Sequence, residues 1–484
     1  MKSGFMKGIR PAAASVLAAA VFALSLTACG TVGELPASPA LRTEAVSAVR
    51  FSMASSGTES PVSRPAVSSA PVPRASSAAS SSRPAAKKPN DVHTVKKLAT
   101  FSAAAKTGSL QAAVPGVSQQ GYAKIDQRSG YGALASQGEK ELYGLIGKSV
   151  YQVSETKNAM GYYSLQTVAV PSGLSEAQAC KTLVAYEDDN PQVFWVANAY
   201  SMGAQDGRTY LQLYSNLSLQ QCNEYNRKFT EAVSAAVRSL PAGLSEFDRE
   251  EAIFNTVVSR CSYDNAAAAD PNLWQAYTAY GVLVGGKAVC EGYSRAVQLL
   301  CGYAGINCTL VRGTAEGGNH MWNCVEVDGN WYQLDVTWCD TTSLIYSYYN
   351  ITDQVLLVTH TPAAAVSSLN DSQIGSAAGF YNLSVQRCDS TLANYYLVKG
   401  IRVGEAGGLD DEAVVRAVTA QLKAGKETIA FSVGSNGDFS AAVQDLIRRV
   451  PSYLRSAAQE SGKALSLESI RYLADEPNLS LIHI

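Results

Sequence analysis

At 484 residues the chain exceeds what one hydrophobic core ordinarily organises, and 46% hydrophobic with 17% charged residues is globular composition, so two or three domains with some non-globular sequence are expected. The formal charge of −2 hides an asymmetry: residues 31–120 carry ten Lys/Arg against four Asp/Glu, and residues 1–10 carry three further cations, which leaves about −11 on the remainder. An acidic globular part argues against a nucleic-acid partner.

In chain order, Lys2, Lys7 and Arg10 precede an apolar run over residues 11–26 that is too short for a membrane span and has the layout of a secretion signal. The run ends in Leu26-Thr27-Ala28-Cys29, which resembles a bacterial lipobox; the resemblance implies lipidation of Cys29 and a protein exported and held at the membrane by lipid, without a spanning helix. Residues 30–120 are dominated by Ala, Ser, Pro and Val, with Phe51 and Phe101 as their only Phe, Tyr or Trp. Such a segment buries too little surface to offset its ordering entropy, so it reads as a disordered tether with a relaxed length on the order of 50 Å.

Residues 121–244 read as a mixed extension. Leu142, Leu145 and Ile146 give helical spacing over 136–147; Ser175 opens a second helix, stopped at Asp188-Asp189-Asn190-Pro191. Alternation over 192–200 and 209–215, joined through Asp206-Gly207, suggests two strands, and a long helix over 219–240 ends at Pro241. Ser245 with Asp248 three residues on caps a helix that gathers Ile253, Phe254, Val257 and Val258 on one face. From about 351 to 478, helix, strand and helix over 411–424, 427–433 and 439–457 indicate a smaller α+β domain. Residues 479–484, Leu-Ser-Leu-Ile-His-Ile, are out of character and resemble a translated sequencing-library end; they are read as an artefact, and His483 is given no function.

The chemistry concentrates in residues 245–350. Gly285-Gly286-Lys287-Ala288-Val289-Cys290 runs as a loop into an amphipathic helix marked by Tyr293, Val297, Leu300 and Ala304. Cys290 thus falls at a helix N-terminus, where unpaired backbone N–H groups and the dipole favour the thiolate a nucleophile needs. A Cys taken at random is more often a small core residue, so its partners decide. Of four histidines, His93 lies in the tether, His483 in the suspect tail, and His360 in Thr359-His360-Thr361-Pro362, which reads as loop. His320 alone opens a strand-like run, 321–327. Asp328-Gly329 is a type I′ hairpin signal, with 330–338 returning. A two-residue loop sets Val327 opposite Asn330 and Trp322 opposite Asp335, which puts His320 and Asp335 on one face, a diagonal step apart. The carboxylate then orients the imidazole and leaves its other nitrogen for the thiol.

Val-Cys-Glu-Gly-Tyr at 289–293, His-Met-Trp-Asn at 320–323 and Trp-Tyr-Gln-Leu-Asp-Val-Thr-Trp at 331–338 together resemble the transglutaminase-like superfamily, in its Cys, His, Asp order. Met321 departs from a position commonly held by a small residue. The resemblance implies a papain-like α+β core, a Cys290–His320–Asp335 triad and acyl-enzyme chemistry on a protein or peptide substrate, with no cofactor. A second oxyanion donor is expected from Tyr263, Trp274 or Tyr280. No metal is expected, since one relevant His and scattered Cys lack ligand spacing, and the pairing of the remaining eight cysteines is left open. The competing reading is a non-catalytic wall- or glycan-associated module that retains the fold.

Overall fold

The computed structural model describes residues 92, 94–98, 106–111, 122–341, 344–404, 408–425, 429–434, 439–465, 473–475 and 480–483, with the pair 53–54. The leader, Cys29 and most of the tether lie outside the described residues. The chain divides into two compact units, Ser82–Val398 and Lys399–Ile484 grouped with Met1–Ser81.

In the first unit a seven-stranded sheet is built from β1 (Lys96–Lys97), β2 (Thr107–Ser109), β3 (Gln152–Lys157), β4 (Tyr163–Leu165), β5 (Val168–Ala169), β6 (Val196–Gln205) and β7 (Arg208–Ser215). Its order is β1-β6-β7-β4-β3-β2, with β5 on β7. The β6–β7 hairpin turns through Asp206 and Gly207, both at positive φ, as the type I′ signal requires. Helices α1 (Gln137–Ser149), α2 (Glu176–Asp189) and α3 (Leu219–Ser239) each begin with a reciprocal capping box, on Ser136, Ser175 and Ser218. Ser245 caps α4 (Glu246–Arg260) by accepting from the Asp248 N–H.

The second sheet of this unit holds β10 (Cys308–Ala315), β11 (Gly318–Val327), β12 (Asn330–Leu334) and β13 (His360–Pro362), in the order β12-β11-β10-β13. A short parallel pair, β8 (Ser262–Tyr263) and β9 (Lys287–Ala288), leads into α5 (Cys290–Tyr303), whose residues are all buried. The Ser294 hydroxyl donates to the Cys290 and Met321 carbonyls, and Asn323 Nδ2 donates to the Ser294 carbonyl, which fastens α5 to β11. Gly292 is required in that first turn: a Cβ there would lie 2.4 Å from the Ala276 carbonyl oxygen.

Three boundaries drawn from sequence change. The 121–244 extension is not separable from the core, because Gln127 bonds both the Ile306 carbonyl and the Cys308 N–H, and Arg312 grips Asp188. The stretch 351–398 belongs to the same unit, and the accessory unit starts at Lys399. Two pieces assigned to the tether carry β1 and β2; Val92, Val95 and Leu110 are buried beside them, and backbone pairing to sheet edges needs no strand-like composition.

The unit that starts at Lys399 has its own sheet, β14 (Ile401–Gly404), β15 (Ala430–Gly434), β16 (Leu473–Asp475) and β17 (Ser480–His483), in the order β14-β15-β17-β16. Helices α7 (Asp411–Lys423) and α8 (Phe439–Ser461) share with it a core of Val414, Val418, Leu422, Phe431 and Leu454. The 480–483 backbone, read from sequence as foreign, pairs with β15. All nine described cysteines are free thiols, with Cys388 and Cys324 sulfurs 3.8 Å apart. Among the described residues no helix is long and apolar enough to cross a membrane.

Candidate active site

The β11–β12 hairpin has the expected register: Val327 faces Asn330 and Asn323 faces Leu334, while Asp328 and Gly329 turn at φ of 49° and 75°. Continuing the ladder sets Trp322 opposite Asp335, at the point where β12 gives way to a single helical turn, α6 (Val336–Cys339). His320 Nε2 lies 2.6 Å from Asp335 Oδ2. The other carboxylate oxygen, Oδ1, accepts from the Trp338 N–H at 3.1 Å, so Asp335 is also the N-cap of α6. Nε2 faces the carboxylate, so a nucleophile would meet the ring at Nδ1.

Cys290 is the first residue of α5; Val289 caps it without a side-chain bond, and its own N–H is spent on the Ala276 carbonyl. The thiol shares an apolar cluster with Leu310, Met321 and Val92, and Phe380 packs against it. Cys290, His320 and Asp335 are 0%, 0% and 1% exposed. The proposed nucleophile therefore sits beneath cover, against the residue that follows the imidazole in β11. Beside it opens a cleft of about 550 Å³ whose walls include Val92, Trp274, Thr278, Glu187, Glu291 and Arg295. Burial pushes the Glu187 carboxyl up to about 8, with Arg295 opposing, so this wall group is protonated near neutrality.

One residue of the site was not read from sequence. His360 lies on β13, opposite Ala315, and its Nε2 is 3.1 Å from the same Asp335 Oδ2. The Thr-His-Thr-Pro run looks like a loop because Pro cannot donate to a ladder; as an edge strand β13 tolerates it. The discarded signal was the count: outside tether and tail, two histidines remain. His320, Asp335 and His360 present three donor atoms within 4.8 Å of one another, all buried. That is spacing a divalent ion would accept, and it brings together two imidazoles where the sequence pointed to one. Both imidazoles hydrogen-bond Asp335 Oδ2 through Nε2.

The three candidate oxyanion donors separate. Tyr280 is built into a ring cluster with Phe194 and Tyr225, at centroid distances of 4.8 and 5.1 Å, and is a core residue. Tyr263 packs with Ala267, Ala276, Tyr277 and Val289. Trp274 lines the cleft.

A buried helix beginning at a cysteine, laid on an antiparallel sheet that carries a hydrogen-bonded imidazole and carboxylate, defines the class: an α+β protein with a papain-like core. Residues 234–336 match the model of the transglutaminase-like superfamily, and the chain carries a domain of that superfamily. It is similar to the kyphoscoliosis peptidases of mouse, 29% identical over 123 residues, and human, 28% over 135. Those matches cover 22% and 24% of this chain and only 18% and 20% of the relatives. Among solved structures it resembles a TGase (TM-score 0.22, 20% identity, 29% of this chain and 44% of that one). It also resembles a candidate cysteine protease from Cytophaga hutchinsonii (TM-score 0.21, 10% identity, 34% and 64%).

Proposed function

We propose that the protein is a thiol enzyme, tethered to the outer side of the cell membrane through lipid on Cys29, that acts on carboxamide or peptide bonds of protein or peptide substrates. The observation that carries the reading is the 2.6 Å His320–Asp335 contact on a sheet against which a helix starting at Cys290 is packed. The Cys290 thiol gives its proton to His320 Nδ1 and the thiolate attacks the carbonyl carbon. As the tetrahedral adduct collapses the C–N bond breaks, and imidazolium returns the proton to the departing amine or ammonia. Water or an amine then attacks the thioester, His320 takes its proton, and the thiol is restored. Asp335 fixes the tautomer and balances the imidazolium charge.

Full-chain protein and a Cys290→Ala variant, incubated with a Gln- and Lys-containing peptide library and read by mass spectrometry, test this. The expected wild-type products are deamidated, cleaved or crosslinked peptides that the variant does not form. Identical profiles would remove the enzyme reading. Full burial of all three side chains favours the second reading, a non-catalytic binding module, and a Cys290 inert to thiol-directed acyl electrophiles would select it.

A further inference from the structure

We propose that His360 is a positioning residue of this thiol site, one that keeps the Asp335 carboxylate ionised and aligned on His320. The inference rests on the function proposed above. His360 Nδ1 is 2.8 Å from Thr359 Oγ1. A carboxylate only accepts, so the Nε2 that faces Asp335 Oδ2 from 3.1 Å carries a proton, whichever way the Thr359 hydroxyl turns between Nδ1 and the Leu356 carbonyl. The ring is wedged against Trp338, Trp322 and Tyr348, with centroids 4.5, 5.0 and 5.5 Å away, so its aim is set by packing on three sides.

Asp335 has almost no contact with solvent, and its charge depends on protein donors: His320 and His360 on Oδ2, the Trp338 N–H on Oδ1. Titratable groups facing it include His320 from β11 and His360 from β13; Tyr348 stands behind the His360 ring. A hydrogen bond to the charged form of a buried acid favours that form. Removing the His360 donor makes Asp335 easier to protonate. A protonated Asp335 no longer balances imidazolium on His320, so the thiolate is lost at a higher pH.

The probe is iodoacetamide on the full chain, with alkylation of Cys290 followed by site-resolved mass spectrometry between pH 4 and 10. His360→Phe keeps a ring among the aromatics and deletes the donor; His360→Gln keeps a neutral N–H donor. The proposal expects the low-pH midpoint of Cys290 reactivity to rise by about one pH unit in the Phe variant and to return most of the way in the Gln variant. Should the phenyl ring not fold, His360→Asn, whose amide stops short of Asp335, replaces it against the same Gln control. A Phe profile lowered at every pH without a shift would make His360 merely structural and overturn the proposal. A visible Co²⁺ absorption band that needs His360 would overturn it in favour of a metal site. A wild-type midpoint near the ordinary thiol value of roughly 8.5 would sink the proposed function itself, a result distinct from an unshifted variant beside a depressed wild type.

Discussion

Arg312, almost fully buried in β10, places two nitrogens 2.6 and 2.7 Å from the two oxygens of Asp188 at the end of α2. Arg295 of α5 approaches the same carboxylate at 3.6 Å and bonds Glu291, the neighbour of Cys290, at 2.9 Å. The chain of charges thus runs from the N-terminal layer to the first turn of the thiol helix. Removing one member strands the others: Arg312→Met leaves Asp188 in a dry site with only the looser Arg295. Breaking a buried pair in this way costs about 3–5 kcal/mol, whereas replacing both members with apolar residues is often close to neutral. In urea melts Arg312→Met is therefore expected to be strongly destabilised and Arg312→Met/Asp188→Leu to recover most of the loss; a single variant within about 1 kcal/mol of wild type would show that the pair carries no weight. None of this was legible in the sequence, where Asp188 reads as a helix stop and its partner lies 124 residues away. That Cys290 starts a helix and that His320 lies beside Asp335 were legible because a helix start and a two-residue turn are set locally. His360 was not, since its role depends on an edge pairing between strands that the sequence does not announce.

Elements divide along the same line. The capped helices α1 to α4 fall within a few residues of where apolar spacing, Ser175, Ser245 and the Pro241 stop put them, because such signals are local. The edge strands β1 and β2 were missed: Lys96 and Lys97 pair with Ala199 and Tyr200 of β6, through backbone groups any residue possesses. The consequence reaches the site, for β1 continues from Val92, which is buried in the cluster of Cys290. The Val95 N–H donates to the Ala378 carbonyl at 2.7 Å, and Lys97 meets Glu176 at 2.7 Å, so this segment is tied to the body at two points. Among its described residues, Val92 is the one that joins the Cys290 cluster. Val92→Ala, which thins the cover and spares the backbone pairing, is expected to raise the rate of Cys290 alkylation by iodoacetamide several-fold at unchanged pH midpoint. An unchanged rate would mean that access is controlled elsewhere, with Phe380 the remaining cover in the cluster.

At the scale of the Ser82–Val398 unit, the buried acids set how stability depends on pH. Burial pushes Glu187 and Glu250 up to about 8, Asp189 to about 7 and Asp340 to about 6. Glu250, in α4, has one oxygen held by Asn350 Nδ2 at 2.6 Å and faces the Tyr349 hydroxyl, a neutral donor, with no cation among its described neighbours; that is a site suited to a neutral acid. Unfolded, all four titrate in the ordinary range near 4. Between that range and about 8 the folded unit binds more protons than the unfolded chain, so stability falls as pH rises: it is fully present below about 4 and is lost as pH climbs through 6, 7 and 8. Glu139 works against this at the acid end. Burial pushes its carboxyl up, but the bonds from Lys181 and Ser136 outweigh burial and hold it below its usual value, so its contribution is lost as pH falls below the carboxylate range. The two slopes place the maximum near pH 4. Calorimetry of the full chain is expected to show the midpoint of this unit falling by several degrees from pH 5 to 9. Glu250→Gln, which fixes the group in an uncharged form, is expected to flatten the decline, gaining on wild type at pH 9 and changing little at pH 5. A midpoint that rises across this window, or a Gln variant that runs parallel to wild type, would mean that Glu250 finds a countercharge or water in solution and that burial does not govern its titration.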